Sequence, residues 1–345
     1  MSFVPSSFPI ALFSSTLAAS LVEAFQRKRD QELYKPKGRF VHLADPKSPS
    51  RRIHVVHRPS SGSRPTVLLE AGANSWSIHW RHLMKLLDLY DYGFIAYDRA
   101  GYGFSDPTTA QRPQSTSTFE GSQVVNTDEP DIIQTLRQLE VRGPLVLVAH
   151  SMGALLMERY LAHIHHLLQG VVFVDAATPQ GVRILSPTLP KAVPHPWIAA
   201  ILGRIGLLRL IAPRVLNAYW REFSEGLQKE VRGVWAKGEW LRTYCREWIE
   251  TVDYATSIQL HRRHWLGELP VSVVLPDGYE EGLLRIQKGV MLYSSATKVF
   301  TSTGSDHFVQ LHRPEIVMDA IADVVSRSKA RGIPLCDEHR HESMR

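Results

Sequence analysis

The sequence predicts an α/β protein: a mostly parallel central sheet flanked by helices, with a helical insertion. Six short apolar runs, Thr66-Val67-Leu68-Leu69, Phe94-Ile95-Ala96-Tyr97, Leu145 to Val148, Gly170 to Val174, Val271 to Leu275 and Lys298 to Thr301, have the length and composition of buried strands. Stretches of helical spacing lie between them, the alternation expected of one α/β domain. With 345 residues, 44% of them hydrophobic, the chain has enough apolar material for a large core.

Taken in order, the first segment runs from Phe8 to Phe25, mostly apolar but broken by Ser, Thr and Glu23, and Arg27-Lys28-Arg29 follows. As a helix this run extends about 27 Å, marginal for crossing a bilayer. Cations on its C-terminal side would keep the rest of the chain cytosolic if it did cross. No Lys or Arg precedes it, which argues against a cleaved signal peptide. Residues 1–30 are therefore an apolar segment with two readings, a membrane anchor or a helix packed on the rest of the protein.

The strand at Thr66 leads into Glu70-Ala71-Gly72-Ala73-Asn74-Ser75, a small-residue loop suited to presenting backbone N–H groups. The strand at Phe94 leads into Asp98-Arg99-Ala100-Gly101-Tyr102-Gly103-Phe104-Ser105, whose glycines permit a close turn and which reads as scaffold. Residues 107–127 are polar, with almost nothing to bury, and read as a mobile loop.

The most informative stretch is Pro144 to Leu156. Four apolar residues make a strand, and from Ala154 the apolar positions fall at helical spacing, so Ser151 occupies the tight turn between two incompatible periods. Such a turn crowds its neighbours, and the small residues Ala149 and Gly153 stand two positions to either side. Ser151 is thereby a candidate nucleophile. The N–H of Met152, just after it, and the N–H of Ala73 in the upstream loop are the candidate oxyanion donors.

Downstream, the strand ending at Val174 delivers Asp175, and the strand at Val271 is followed by Pro276-Asp277-Gly278 and Glu280. Residues 186–264 interrupt the strand pattern and look helical; six of the eight tryptophans lie in or beside them, Trp197, Trp220, Trp235, Trp240, Trp248 and Trp265. This insertion is read as a lid with a wide apolar surface. After the last strand comes Gly304-Ser305-Asp306-His307-Phe308, then a helix starting near Arg313-Pro314-Glu315. His307, on that loop, is the candidate general base. The charged tail, from about Ser326 and assigned as residues 331–345, is expected to fray.

This arrangement resembles the α/β-hydrolases. The serine turn, the Asp98 to Ser105 glycine loop and the His307 loop followed by Arg-Pro-Glu stand in that family's order over residues 52–330. Two positions depart from the usual pattern: Glu-Ala-Gly follows Leu69 where many relatives have His-Gly, and Ala149 replaces the first glycine of the serine turn. The resemblance implies an α/β-hydrolase fold with a core of 52–185 and 265–330 and a helical lid of 186–264. It also implies that His307 takes the Ser151 proton as the hydroxyl attacks a carbonyl, and that a carboxylate fixes the imidazole tautomer. Asp175 is favoured for that carboxylate, lying directly at a strand end beside the nucleophile strand. Asp277, in a turn where Asp suits its own backbone hydrogen bonding, is the alternative acid, and Glu280 comes last. The implied reaction is hydrolysis of an ester or related acyl bond in a hydrophobic small molecule, with no cofactor. Two other readings stay open: a non-catalytic small-ligand-binding protein, and a cofactor-free haloperoxidase or lyase variant.

The formal net charge of +6 does not make a nucleic-acid partner, because the basic residues are scattered and no recognition motif accompanies them. An anionic membrane surface, met through the N-terminal segment, is the next possibility. His163, His165 and His166 have no acidic or cysteine ligand at metal spacing, so no metal is expected there. Cys245 and Cys336 form no paired motif, which leans towards a reducing, cytoplasmic setting with membrane association left open.

Overall fold

Eight strands form one sheet in the order β1-β2-β4-β3-β5-β6-β7-β8. They are β1 (Arg39–Leu43), β2 (Arg51–Arg58), β3 (Thr66–Glu70), β4 (Gly93–Tyr97), β5 (Leu145–His150), β6 (Leu168–Val174), β7 (Val271–Pro276) and β8 (Thr297–Ser302). The computed structural model describes residues 8–44, 50–62, 64–107, 129–185, 196–211, 223–257, 264–279, 287 and 289–331. Residues 108–127 of the polar stretch, 332–345 of the tail, Trp220, Glu280 and Cys336 lie outside them.

From β3 through β8 every pairing is parallel; β2 pairs antiparallel with β4 and with β1. The central strands β3 to β7 are buried along their whole length, as their continuous apolar sequences require of strands covered on both faces. Alternate residues divide between two cores. Leu145, Leu147 and Ala149 of β5 join one with Ile133 and Leu136 of the Asp131–Gln138 helix. Val146 and Val148 join the other with Leu83 and Leu87 of the Arg81–Leu89 helix and Ile321 and Val324 of the Pro314–Ala330 helix. The latter helix begins with proline, whose missing N–H costs nothing there. It continues through Ala330 with Ser328 buried, so the order extends past Ser326, where fraying is expected from the sequence.

The two strands beyond the six read from the sequence are β1 and β2, where Arg and His interleave with Val41, Leu43, Ile53 and Val55. The expected helix after Ser151 is broken into short pieces, Gly153–Leu156, a 3-10 turn at Met157–Arg159, Leu161–Ile164 and a second 3-10 turn at His165–Leu167.

The chain builds leftward from β3 to β4, then jumps back to place β5 on the other side of β3. Loops leaving the C-terminal ends of β3 and β5 therefore diverge and leave a crevice, the place where open α/β sheets bind ligands. The β3 loop carries Ala73 and the β5 turn carries Ser151.

Between β6 and β7 the chain makes helices Pro196–Arg204, Glu225–Trp235 and Glu239–Ser257. Trp235 and Trp240 stack at 4.3 Å between ring centroids and pack with Trp76, Tyr102 and Phe223, so they seat these helices on the core. Trp265 instead lies against Tyr293 on the sheet side. Among the described residues no helix is long and apolar enough to cross a membrane. The N-terminal helix, Phe8–Leu33, packs on the helices Pro196–Arg204 and Glu225–Trp235.

Candidate active site

Ser151 sits just past β5 with φ of +50°, a left-handed conformation that a residue with a Cβ adopts only when its surroundings impose it. The ladder imposes it. Ser151 N donates to Val174 O at 3.1 Å on one side, and Ala177 N donates back to Ser151 O at 2.9 Å. The crowding read from the sequence is present: a Cβ on Gly153 would stand 2.7 Å from Ala71 O and 2.8 Å from Glu70 O. Gly72 is equally constrained, since its Cβ would lie 3.0 Å from Ser151 Cβ. Asp175, at the end of β6, has φ of +40° and donates its amide to Val274 O at 2.8 Å.

Three side chains from three strand ends meet here. His307 Nε2 is 3.0 Å from Ser151 Oγ, and His307 Nδ1 is 2.6 Å from Asp175 Oδ2. The imidazole is 46% exposed while the aspartate is 1% exposed, so one end of the chain is open to a substrate and the other is sealed. Asp175 accepts two further bonds, from the Tyr279 hydroxyl on Oδ2 and from Gln287 Nε2 on Oδ1 at 3.1 Å. Burial and the adjacent carboxylate raise the Tyr279 pKa, so the phenol stays a donor. Asp277 is occupied elsewhere: its Oδ1 accepts the Gly304 N–H at 3.0 Å, which ties the end of β7 to the loop bearing His307.

Met152 precedes the Gly153–Leu156 helix, so its N–H belongs to the set with no intrahelical acceptor. Ala73 lies in the facing loop, and Arg99 determines how that loop is held. Its guanidinium donates to Ala71 O at 2.6 Å and to Gly72 O at 2.8 Å. A trans peptide is planar with C=O and N–H opposed. Anchoring the Gly72 carbonyl on Arg99 therefore points the Ala73 N–H away from Arg99.

The same guanidinium pairs with Glu70 at 2.9 Å and with Glu247 of the Glu239–Ser257 helix at 2.8 Å. Tyr97 and Tyr160 also donate to Glu70, and Tyr102 donates to Glu247 at 2.9 Å. Burial pushes the Glu70 carboxyl upward in pKa, while Arg99 and the two phenols pull it back. Thus Glu70 is a buried carboxyl with partners on both oxygens, Arg99 on one and Tyr97 and Tyr160 on the other.

The Asp98 to Ser105 loop, which reads as scaffold from the sequence alone, carries Arg99 at the centre of this network. The available signal was a glutamate closing one buried strand and an arginine just beyond the next, two charges that need partners.

His150 was also missed. Its Nε2 is 2.9 Å from the His307 carbonyl, an acceptor only, so Nε2 carries the proton and braces the His307 backbone. Burial first, and then the nearby His307 ring, push the His150 pKa well below the usual histidine range, leaving it neutral.

A serine in a strained turn after the central strand, an aspartate after the next and a histidine after the last define the α/β-hydrolase class. The alpha/beta hydrolase family model matches residues 56–320, and the chain belongs to that family. It is 31% identical over 289 residues to the uncharacterised protein YqjL of Bacillus subtilis (strain 168), covering 82% of this chain and 92% of that one. Among solved structures, it is similar to the Cif epoxide hydrolase from Acinetobacter nosocomialis, with a TM-score of 0.66 at 14% identity over 89% of this chain and 96% of the other. It is also similar to a thermophilic esterase from Thermogutta terrifontis, with a TM-score of 0.55 at 15% identity over 84% and 99% of the two chains. At these identities the structural likeness is one of fold.

Proposed function

We propose that this protein is a serine hydrolase that cleaves an ester or related acyl bond of a hydrophobic small molecule. The observation that carries the reading is the continuous hydrogen-bonded path from Ser151 Oγ through His307 to Asp175. His307 Nε2 takes the Ser151 proton as Oγ attacks the substrate carbonyl, and the resulting imidazolium is stabilised by buried Asp175. The Met152 and Ala73 amides receive the oxyanion. His307 then returns the proton to the leaving group, and water, activated by the same imidazole, releases the acyl group from Ser151.

Serine at the nucleophile position favours this chemistry over haloalkane dehalogenation, which calls for aspartate there. The helices between β6 and β7 act as a lid, with the Glu239–Ser257 helix as its fixed wall. Besides Glu247, that helix is latched by Glu250 to Arg159 at 2.7 Å and by Tyr254 to Glu158. The substrate is an acyl compound apolar enough to prefer this cleft to water.

A fluorophosphonate probe tests the reading. It should label the parent protein and fail on Ser151→Ala and His307→Ala, and an ester panel of increasing acyl length should then rank substrates. A folded parent that the probe leaves untouched would move the protein to the small-ligand-binding reading.

A further inference from the structure

The N-terminal helix presents its faces in the reverse of the usual order. Its inward face is charged: Glu23 and Asp30 are buried. Glu23 accepts from Arg27 at 3.0 Å and from Arg209 at 2.9 Å, and Asp30 accepts from Arg209 at 2.7 Å. Arg27 also reaches the Gly203 carbonyl at 2.7 Å, so the helix is clamped to the segment after Pro196 by charge. Its outward face is apolar. Leu17, Leu21, Val22 and Phe25 are 52%, 63%, 60% and 68% exposed. At about 100° per residue they share one side of the helix, opposite Glu23 and Asp30.

The segment that clamps this helix also carries exposed apolar residues. Ile201 and Leu210 of the clamped segment are 49% and 65% exposed, each close in sequence to the residues that make the clamp. Apolar surface gathered this way marks a partner. Its charge identifies which. No charged residue precedes Glu23 in the chain, and the exposed residues at the far end of the stripe include Lys28 and Arg29, with exposed Arg204 on the neighbouring helix. Between Leu17 and Leu33 the exposed acid is Glu32 alone. A second copy of this chain would bring cations to cations, whereas a layer of anionic headgroups over hydrocarbon matches both the stripe and its border.

We propose that the exposed Leu17 to Phe25 face seats the protein along the interface of a bilayer containing anionic lipid. The helix lies in the surface and does not cross it. This inference uses neither Ser151 nor His307 and stands apart from the hydrolase reading.

Flotation of the full chain with phosphatidylcholine vesicles, with and without phosphatidylserine, tests it. The parent should float with the phosphatidylserine vesicles, and Leu21→Glu/Phe25→Glu should abolish flotation. Lys28→Ala/Arg29→Ala, which spares the apolar face, should weaken binding to the anionic vesicles roughly 30-fold at low salt. Far-ultraviolet circular dichroism checks that each variant is folded, and fluorophosphonate labelling reports separately on the hydrolase reading. The proposal is overturned if the folded parent stays unbound, or if the glutamate variant floats like the parent. It is overturned equally if light scattering shows a parent dimer that Leu21→Glu/Phe25→Glu splits while vesicle binding is unchanged.

Discussion

Replacing Arg99 with lysine isolates what the guanidinium contributes to the proposed oxyanion site. Arg99 donates to Glu70, Ala71 O and Gly72 O at 2.9, 2.6 and 2.8 Å, and to the two oxygens of Glu247 at 2.8 and 3.1 Å. An ammonium carries the same charge without the planar fork, so it can serve the carboxylates or the paired carbonyls but not all of them. Once Gly72 O is released, its peptide plane can rotate, and the Ala73 N–H loses its aim. One oxyanion donor is worth about 2.7–4 kcal/mol of transition-state stabilisation, so kcat should fall roughly 100- to 1,000-fold. KM should move little, since the loss is confined to the charge that develops during reaction. Arg99→Met provides the contrast: it strands two buried carboxylates and should cost about 3–5 kcal/mol of stability. Steady-state kinetics on a chromogenic ester, beside urea unfolding of the same samples, separate the two effects. A folded Arg99→Lys protein with kcat within about twofold of the parent would refute the account of how the Ala73 amide is oriented.

Asp175→Asn should lower kcat about 10,000-fold by leaving the wrong imidazole tautomer facing Ser151. Asp277→Asn, whose side-chain carbonyl can still accept the Gly304 N–H, should stay within a few-fold of the parent, and the reverse outcome in ester assays would reassign the acid. Ser151→Gly should be more stable to urea than Ser151→Ala by about 1–2 kcal/mol, because glycine relieves the left-handed strain; equal midpoints would mean the turn is unstrained. His79 is buried, and desolvation holds its pKa down at about 4 against an ordinary 6.5. Its folded pKa lies below the unfolded one, so its contribution is present above pH 6.5 and is lost as the pH falls through about 4. The whole of that loss is about 3 kcal/mol. His79→Gln should therefore lose less stability between pH 7 and pH 4 than the parent, and identical losses would sink the assignment.

Five of the six strands read from the sequence, β3 to β7, were legible because burial on both faces leaves an unbroken apolar run, whereas β8 is a largely exposed edge strand. The Arg51–Arg58 strand was hidden because it lies towards the sheet edge and pairs antiparallel, where one side of the strand tolerates Arg and His. The turn at Ser151 was legible from local sterics, since the small residues that relieve it sit within two positions of it. The network around Arg99 was not, because Glu247 is 148 positions away and a single glutamate in a helix carries no local signal of its partner. The N-terminal run has two readings from its sequence, a membrane anchor or a helix packed on the protein, and neither foresees which of its residues face inward. The fold buries its acidic residues Glu23 and Asp30, and Arg209, distant in sequence, pairs with both.

A common principle joins the two ends of the site. Ser151 and Asp175 both sit at strand ends in left-handed backbone, and each is held by a ladder bond to the neighbouring strand. Conformations of that kind cost about 1–3 kcal/mol apiece and persist only where the surroundings over-determine them. His307 sits on a loop without that constraint, so its position has to come from elsewhere. It comes from side chains: His150 on its carbonyl, Asp277 on the Gly304 amide and Asp306 on the Phe308 amide at 2.8 Å. Ladder bonds of the sheet thus hold Ser151 and Asp175, the proposed nucleophile and acid, in that strained backbone. His307, the proposed base, is held by side-chain hydrogen bonds instead, which suits a group that under the proposed mechanism hands a proton to two different atoms.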